Sequence, residues 1–452
     1  MWSDKIVFRG NHQPLWEYIL NSEQTRTGTT GIYTDFGGSL TTGAAKLGDV
    51  EEFFFFEVPG APGTRFEVFP GAPSVTDDGI IAFKGNYVAI SPGDQQEGLG
   101  KTGVFYRQVR REEAGGNGEI QLVANSDTMI PNLGECPAGT TFGSTAPPSA
   151  ALDHMVFVGF DNEQHPTCGG IYRSRLSQPP ERLTTLVSLE TEVPGQGDAT
   201  FTRIGEGLSY DGRFVAFWGA WGKETRTIRL YCPEEGNRIR RDFCNNAGEF
   251  APDQGDVNSI CGSAGPCYQE KEIPVNQGIF VYDTAGRGRL WLVTKAGFDT
   301  DFDDFVYWNY SGAPPGSGEE GDGEPPRWRS SAFVSVSQRT GATFRAAFLA
   351  RHGEIDPATH LYDSPVDGIY LAEILGQQEP KMENLVQTGM EGTVLDPQAL
   401  DAETNEPLAI TFVGLERDSL RGRWLVINAA MGSEETGWAG IYMTRLPMPP
   451  GR

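Results

Sequence analysis

Residues 207–219 read GLSYDGRFVAFWG, and residues 278–283 read GIFVYD. The first stretch sets Asp211-Gly212 directly before an apolar run that ends in Gly219. Asp-Gly ahead of a strand signals a tight turn, because glycine supplies the positive φ that such turns need. The second stretch opens Gly-Ile-Phe and continues as β-rich sequence. Together they give strand, tight turn, strand, long loop, strand.

The same pattern recurs along the chain. Gly-Ile/Val-Tyr/Phe occurs six times, at 31–33, 103–105, 170–172, 278–280, 368–370 and 440–442. Upstream lie β-rich runs ending in glycine: KIVFRG (5–10), IIAFKG (80–85), MVFVG (155–159), RFVAFWG (213–219), and the looser TFRAAFLARHG (343–353) and RWLVINAAMG (423–432). Downstream of four copies stands Leu-Val, at 122–123, 186–187, 292–293 and 385–386. One unit reads strand A, tight turn, strand B, variable loop, strand C, short turn, strand D, over about 75 residues. Six such units predict an all-β fold: a six-bladed β-propeller of four-stranded antiparallel blades, with residues 1–452 as one domain. Radial closure protects strand edges that an open array leaves exposed. A seventh blade fits if 220–277 or 306–342 hides a degenerate copy. Unit one lacks an evident strand A, and unit six lacks a strand D after Tyr442.

GLSYDGRFVAFWG with GIFVYD resembles the repeat of TolB-like β-propellers, in which a Ser-x-Asp-Gly turn leads into one strand and an Ile-Phe/Tyr-Val-Tyr-Asp strand follows. PSVTDDGIIAFKG (73–85) with GVFYR (103–107) is similar to repeats of large secreted bacterial proteins. The resemblance is carried by units two to four. It implies a fold and not an activity, since propellers host many functions.

Composition narrows the function. The chain has 452 residues, 58 Gly and 30 Pro, which is turn-rich, and 11% aromatic residues, which suffices for a packed core. A net charge of −25 repels phosphate backbones and argues against a nucleic-acid partner. No apolar run approaches the roughly 20 residues of a membrane span. The opening Met-Trp-Ser-Asp-Lys has neither a basic nor an apolar leader segment, so the protein is cytosolic or has lost a leader. Six cysteines and no C-x-x-C pair favour a disulfide framework and an extracellular or periplasmic location. Local pairings Cys136–Cys168, Cys232–Cys244 and Cys261–Cys267 would staple loops that have little core of their own, 220–277 above all.

The repeat alignment puts the long, unequal segments on one face. These are the B–C loops 11–30, 86–102, 160–169, 220–277, 353–367 and 432–439, together with the D–A connections. Loops of such length are functional or disordered, and disulfides argue for order. The expected ligand is a glycan or a protein, with His165, Trp221, Arg240, His352 and His360 as the first binding candidates. Trp16, Trp218, Trp308, Trp328 and Trp438 also lie near this face, where indoles could stack on sugars or merely fill gaps between blades. The alternative is a polysaccharide lyase with a His/Tyr/Arg site in the axial funnel, where a histidine is the base and a cation neutralises the uronate; the basic clusters are Arg238, Arg240 and Arg241 in the long loop and Arg107, Arg110 and Arg111 on a C–D region. Asp299, Asp301 and Asp303 have the spacing of a Ca²⁺ loop start. They align better with the D–A connections 63–69 and 198–204, which makes Phe302 a core aromatic equivalent to Phe66 and Phe201. Glu319, Glu320, Asp322 and Glu324 read as a solvated loop. No nucleophile elbow, phosphate loop, dinucleotide fingerprint or His-Glu-x-x-His is present, and no other cofactor is implied.

Overall fold

The computed structural model describes residues 6–20, 23–35, 40–46, 56–88, 100–109, 117–131, 134, 136–177, 180, 182–234, 238–246, 260–261, 266–297, 300, 302–312, 326–340, 343–374, 379–433 and 437–447, with backbone alone for 11–20, 23–29, 339 and 340. His12, Trp16, Arg110, Arg111, Asp299, Asp301 and the acidic residues of 319–324 therefore lie outside the described side chains.

The chain is nearly all β and forms the six antiparallel blades of a β-propeller. It divides into two compact units. The first holds blades one to three. Blade one has strand B (Val7–Leu20), C (Glu23–Thr34) and D (Thr41–Lys46). Blade two is Ser74–Val75, Ile80–Val88, Gly100–Gln108 and Ile120–Asn125. Blade three has a split strand A (Ser144–Thr145, Ser149–Ala151), then His154–Phe160, Gly169–Arg175 and Thr184–Ser188.

The second unit holds blades four to six. Blade four is a split strand A (Phe201–Ile204, Ser209–Tyr210), Phe214–Trp221, Gln277–Asp283 and Arg289–Ala296. Blade five is Val334–Thr340, Thr343–His352, Val366–Ile374 and Lys381–Gln387. Blade six is a split strand A (Ile410–Gly414, Leu420–Arg421), Trp424–Met431 and Trp438–Arg445. In the segments that could have hidden a seventh blade, the described residues form two hairpins and a helix. Between Trp221 and Gln277 stand a hairpin (Thr225–Tyr231 with Tyr268–Pro274) and a helix (Arg238–Asn245). Before blade five stands a two-stranded hairpin (Tyr307–Ser311 with Arg327–Ser331).

The repeat motif has a packing cause. Strands B and C pair aromatic with aromatic in register: Phe83 with Phe105, Phe157 with Tyr172, Phe217 with Phe280, and Phe348 with Tyr370. An aromatic from the preceding D–A connection then meets the strand C ring edge to face. Phe66 lies 5.0 Å from Phe105, Phe142 5.2 Å from Tyr172, Phe201 4.9 Å from Phe280 and Phe302 4.8 Å from Tyr370. Each such pair contributes about 1 kcal/mol beyond its buried area. The ring occupies the space that a side chain would need at the glycine closing strand B. A Cβ on Gly85, Gly159 or Gly219 would come within 2.6 Å of Phe66, Phe142 or Phe201. That is why the B runs of blades two to four carry glycine there, whereas blade five has Ala350 at that position beside Phe302, which takes the core place its alignment implies.

The Asp-Gly turns also form as read. The Asp211 carboxylate accepts the amides of Arg213 and Phe214, at 2.9 and 2.8 Å, and Gly212 has φ +107°. Strand D joins strand C with a bulge at one fixed place in blades one to five, between the motif's Ile/Val and its aromatic.

Candidate functional site

The three disulfides are Cys136–Cys168, Cys232–Cys244 and Cys261–Cys267. The latter two close the insertion of blade four. Its helix is short and its buried side chains are Phe243 and Cys244, so it has little apolar surface of its own to fold on. Cys232–Cys244 ties the helix to the hairpin, Cys261–Cys267 closes the turn before the second hairpin strand, and the Cys232 amide donates to the Cys267 carbonyl at 2.8 Å.

One side of the hairpin turns inward, with Ile228, Ile273 and Gln269 buried. The alternation of a strand turns Arg229, Tyr231, Tyr268 and Glu270 the other way. Arg229 opposes Glu270 and Tyr231 opposes Tyr268 in register. The two tyrosine rings meet edge to face at 5.9 Å, the Arg229 guanidinium lies 4.0 Å over the Tyr268 ring, and Tyr231 stays 41% exposed. His360 arrives from the B–C loop of blade five. Its Nδ1 is 3.1 Å from Glu270 Oε1, and Arg229 reaches the same oxygen at 3.2 Å. The loop is fixed by its backbone as well, since the Arg229 amide donates to the His360 carbonyl at 2.8 Å. His360 first and Arg229 second hold the Glu270 carboxyl below its ordinary range. Beside the helix is a polar cleft of about 370 Å³, lined by Pro233, Glu234, Arg238, Arg241, Asp242 and Asn245 among others.

The remaining candidates are placed differently. Trp221 is 5% exposed and stacks edge-on at 5.9 Å from Phe280, so its indole is a core ring. His352 has the equivalent position in blade five. Both stand four residues after the strand B aromatic, Phe217 or Phe348, and so on the same side of the strand. His352 packs against Tyr370 and Phe302, and its Nε2 is 2.7 Å from the Tyr370 hydroxyl. Tyr87 fills this place in blade two, 6.4 Å from Phe105. Arg240 is half-buried on the insertion helix, with its charge directed at Tyr310. His165 belongs to the first unit, in an exposed turn where Asn162 Oδ1 accepts its amide at 2.9 Å. Of the tryptophans, Trp218 is buried and donates to Gln277 Oε1 at 2.8 Å, whereas Trp438 is exposed. Asp303 is spent on the backbone: its carboxylate accepts the Gly353 amide at 2.8 Å, and its carbonyl accepts Arg226. Among the described residues no group of three or more His, Cys, Asp or Glu could hold a metal ion.

A second polar network anchors the loop of blade five. Arg351 grips Asp367 with two bonds, at 2.7 and 3.1 Å, and its guanidinium lies 4.9 Å from the Tyr307 ring and 4.7 Å from that of Tyr362. Buried Asp304 accepts Gln277 Nε2 at 2.8 Å, the amides of Phe305 and Val306 at 2.8 and 3.0 Å, and the Tyr362 hydroxyl. Burial, and then the Asp304 charge, push the Tyr362 hydroxyl well up from its ordinary value. Arg229, Tyr231, Tyr268 and Glu270 were not among the sequence candidates. Their signal is strand alternation inside the insertion, legible once 225–231 and 268–274 are known to pair.

No family model matches the chain, and no curated protein matches it. Among solved structures it is similar to the α-L-arabinanase of Penicillium chrysogenum complexed with arabinobiose, at 8% identity over 80% of this chain and 90% of that one, with a TM-score of 0.29. A likeness at that score carries no argument about activity. No helix among the described residues is long and apolar enough to cross a membrane.

Proposed function

We propose that the protein is an exported β-propeller interaction module that binds a glycan on the insertion of blade four. The observation behind this reading is the exposed Tyr231 ring beside Tyr268, Arg229 and Glu270 on one hairpin face, with His360 of the blade five loop brought against Glu270. A sugar ring offers an apolar C–H face and hydroxyls that both donate and accept. An exposed aromatic covers the first, and a carboxylate beside a guanidinium answers the second. The net charge of −25 favours a neutral sugar over a polyanion. Three disulfides fit an oxidising compartment, extracellular or periplasmic. A glycan array followed by calorimetry tests the reading. Tyr231→Ala and Glu270→Gln should each weaken the best glycan at least about tenfold, or 1.4 kcal/mol, with little change in Tm. Unchanged affinity in both variants overturns it.

The lyase reading retains one observation, the His352–Tyr370 pair at 2.7 Å, while Arg351, the preceding residue of the same strand, turns its side chain to the opposite face. Against it, Tyr370 is only 7% exposed, and Arg351 is already committed to Asp367. Uronate polysaccharides incubated with the protein and followed at about 235 nm, the absorbance of the unsaturated product, separate the two. Turnover that His352→Ala abolishes would favour the enzyme.

A further inference from the structure

The two bridges of the blade four insertion lie against one another. Tyr231 opposes Tyr268 in the hairpin register, so the next pair along it is Cys232 and Cys267. The Cys232 amide donates to the Cys267 carbonyl at 2.8 Å, which carries the ladder on by that one step. Residues opposed through such a bond have Cα atoms about 5.5 Å apart. That lies inside the roughly 4.4–6.8 Å that a bridge spans. Opposed residues also share a face, and this one is the inward face of Ile228 and Gln269. Yet the two cysteines are not bonded to each other: Cys232 is joined to Cys244 on the helix, and Cys267 to Cys261.

The bridges differ in access. Cys232 is 3% exposed and Cys244 0%, and both pack with Tyr310. Cys261 is exposed, and half-buried Cys267 packs against that buried cluster. The Sγ atoms of Cys261 and Cys267 lie 3.4 and 3.5 Å from the carbonyl oxygen of Asn245, the chain neighbour of Cys244. A thiolate from solvent therefore reaches one bridge and not the other, and on that bridge it reaches Cys261 first. Attack there expels Cys267, the cysteine packed beside the buried bridge.

We propose that Cys261 is the attack site for a small thiol of the glutathione class, and that Cys267 relays the exchange to Cys232. The incoming thiolate bonds to Cys261 Sγ, and the Cys261–Cys267 bond breaks with its electron pair on Cys267. Cys267 then bonds to Cys232 Sγ, and the Cys232–Cys244 bond breaks with its pair on Cys244, which takes up the proton the thiol lost. A second thiol attacks the adduct, leaves as the oxidised thiol dimer and gives its proton to Cys261. The net change is the two-electron reduction of one bridge. The product carries Cys232–Cys267 across the hairpin and thiols at Cys244 and Cys261. Arg238, Arg241, Asp242 and Asn245 line the cleft from the helix, Cys232 and Pro233 from the hairpin. Cys232–Cys244 is the covalent tie between those two walls, and the relay cuts it while stapling the hairpin. The glycan reading plays no part in this inference.

The test pulses the full chain with glutathione, traps free thiols with N-ethylmaleimide before unfolding, and maps the digest by mass spectrometry. Molecules that have lost one bridge should carry maleimide on Cys244, glutathione or maleimide on Cys261, and a Cys232–Cys267 cross-link. Maleimide on Cys267 beside an intact Cys232–Cys244 bridge overturns the proposal, and so does an opened Cys232–Cys244 beside an intact Cys261–Cys267. Cys261→Ser removes only an exposed side chain and frees Cys267 without any added thiol. Its digest should show Cys232–Cys267 and free Cys244, and amide exchange should rise across 238–245 while 225–231 stays protected. A free Cys267 thiol in that variant, or equal loss of protection in both segments, overturns the relay. With Cys261→Ser and Cys267→Ser together, Cys232–Cys244 should open at least about tenfold more slowly in the same pulse, because the intramolecular thiolate is gone. Opening at the parent rate overturns it as well.

Discussion

Gly219 and Phe201 occupy one another's space: a Cβ on the glycine would stand 2.6 Å from the phenylalanine ring. The glycine exists for the ring, and the ring seals strands B and C of blade four by its 4.9 Å contact with Phe280. Gly219→Ala should therefore cost about 1–3 kcal/mol through overpacking. Phe201→Ala should cost about 3–5 kcal/mol through cavity formation. The double variant should be less unstable than the two costs summed, because the alanine methyl then enters vacated space. Urea unfolding of the four proteins measures this. Strict additivity would show that the two positions do not compete for space.

Arg351 holds Asp367 bidentately between two tyrosine rings, and little of it reaches solvent. Removing one partner of this half-buried pair leaves the other charge poorly compensated, so Arg351→Ala should destabilise by about 2–3 kcal/mol. Arg351→Lys keeps the charge but loses the fork and the stacking, and should still cost about 1–2 kcal/mol. Thermal unfolding of both variants checks the order. A lysine variant as stable as the parent would mean that charge alone matters there.

The Glu270 carboxyl is held below its ordinary value of 4.5 by His360 and then by Arg229. A depressed carboxyl stabilises the arrangement above its unfolded value, and the benefit is lost as pH falls through the depressed one. The tie between loop and hairpin should persist from neutral pH through the ordinary glutamate range and loosen only below it. Protection of the Arg229 amide, which donates to His360, reports it by hydrogen exchange. Glu270→Gln should flatten this acid limb. A limb unchanged in that variant would assign it to another group.

Reduction should add about six mass units, two per bridge, to the intact protein. The two bridges of the insertion close short loops of 12 and 6 residues' separation, around a segment with little core. Their loss should raise exchange across 232–267 while the aromatic layers of blades four and five stay protected. If the blades lose protection in step with the insertion, the two form one cooperative unit.

The sequence by itself determined the blades, their strand order and the cysteine partners, because these rest on neighbours in the chain. Period-two alternation, an Asp-Gly turn and a glycine cleared for a ring are local devices, repeated until they become legible. The partners of each bridge lie 32, 12 and 6 residues apart. That no strand D follows Tyr442 among the described residues was legible for the same reason. Even the inward side of Trp221 and His352, the first buried and the second half-buried, was available in principle, since strand parity carries both onto the side of Phe217 and Phe348. Tertiary structure alone decided what meets on the insertion. Glu270 is 41 residues from Arg229 and 90 from His360. No repeat spans those distances, so their convergence depends on how one loop docks on a hairpin.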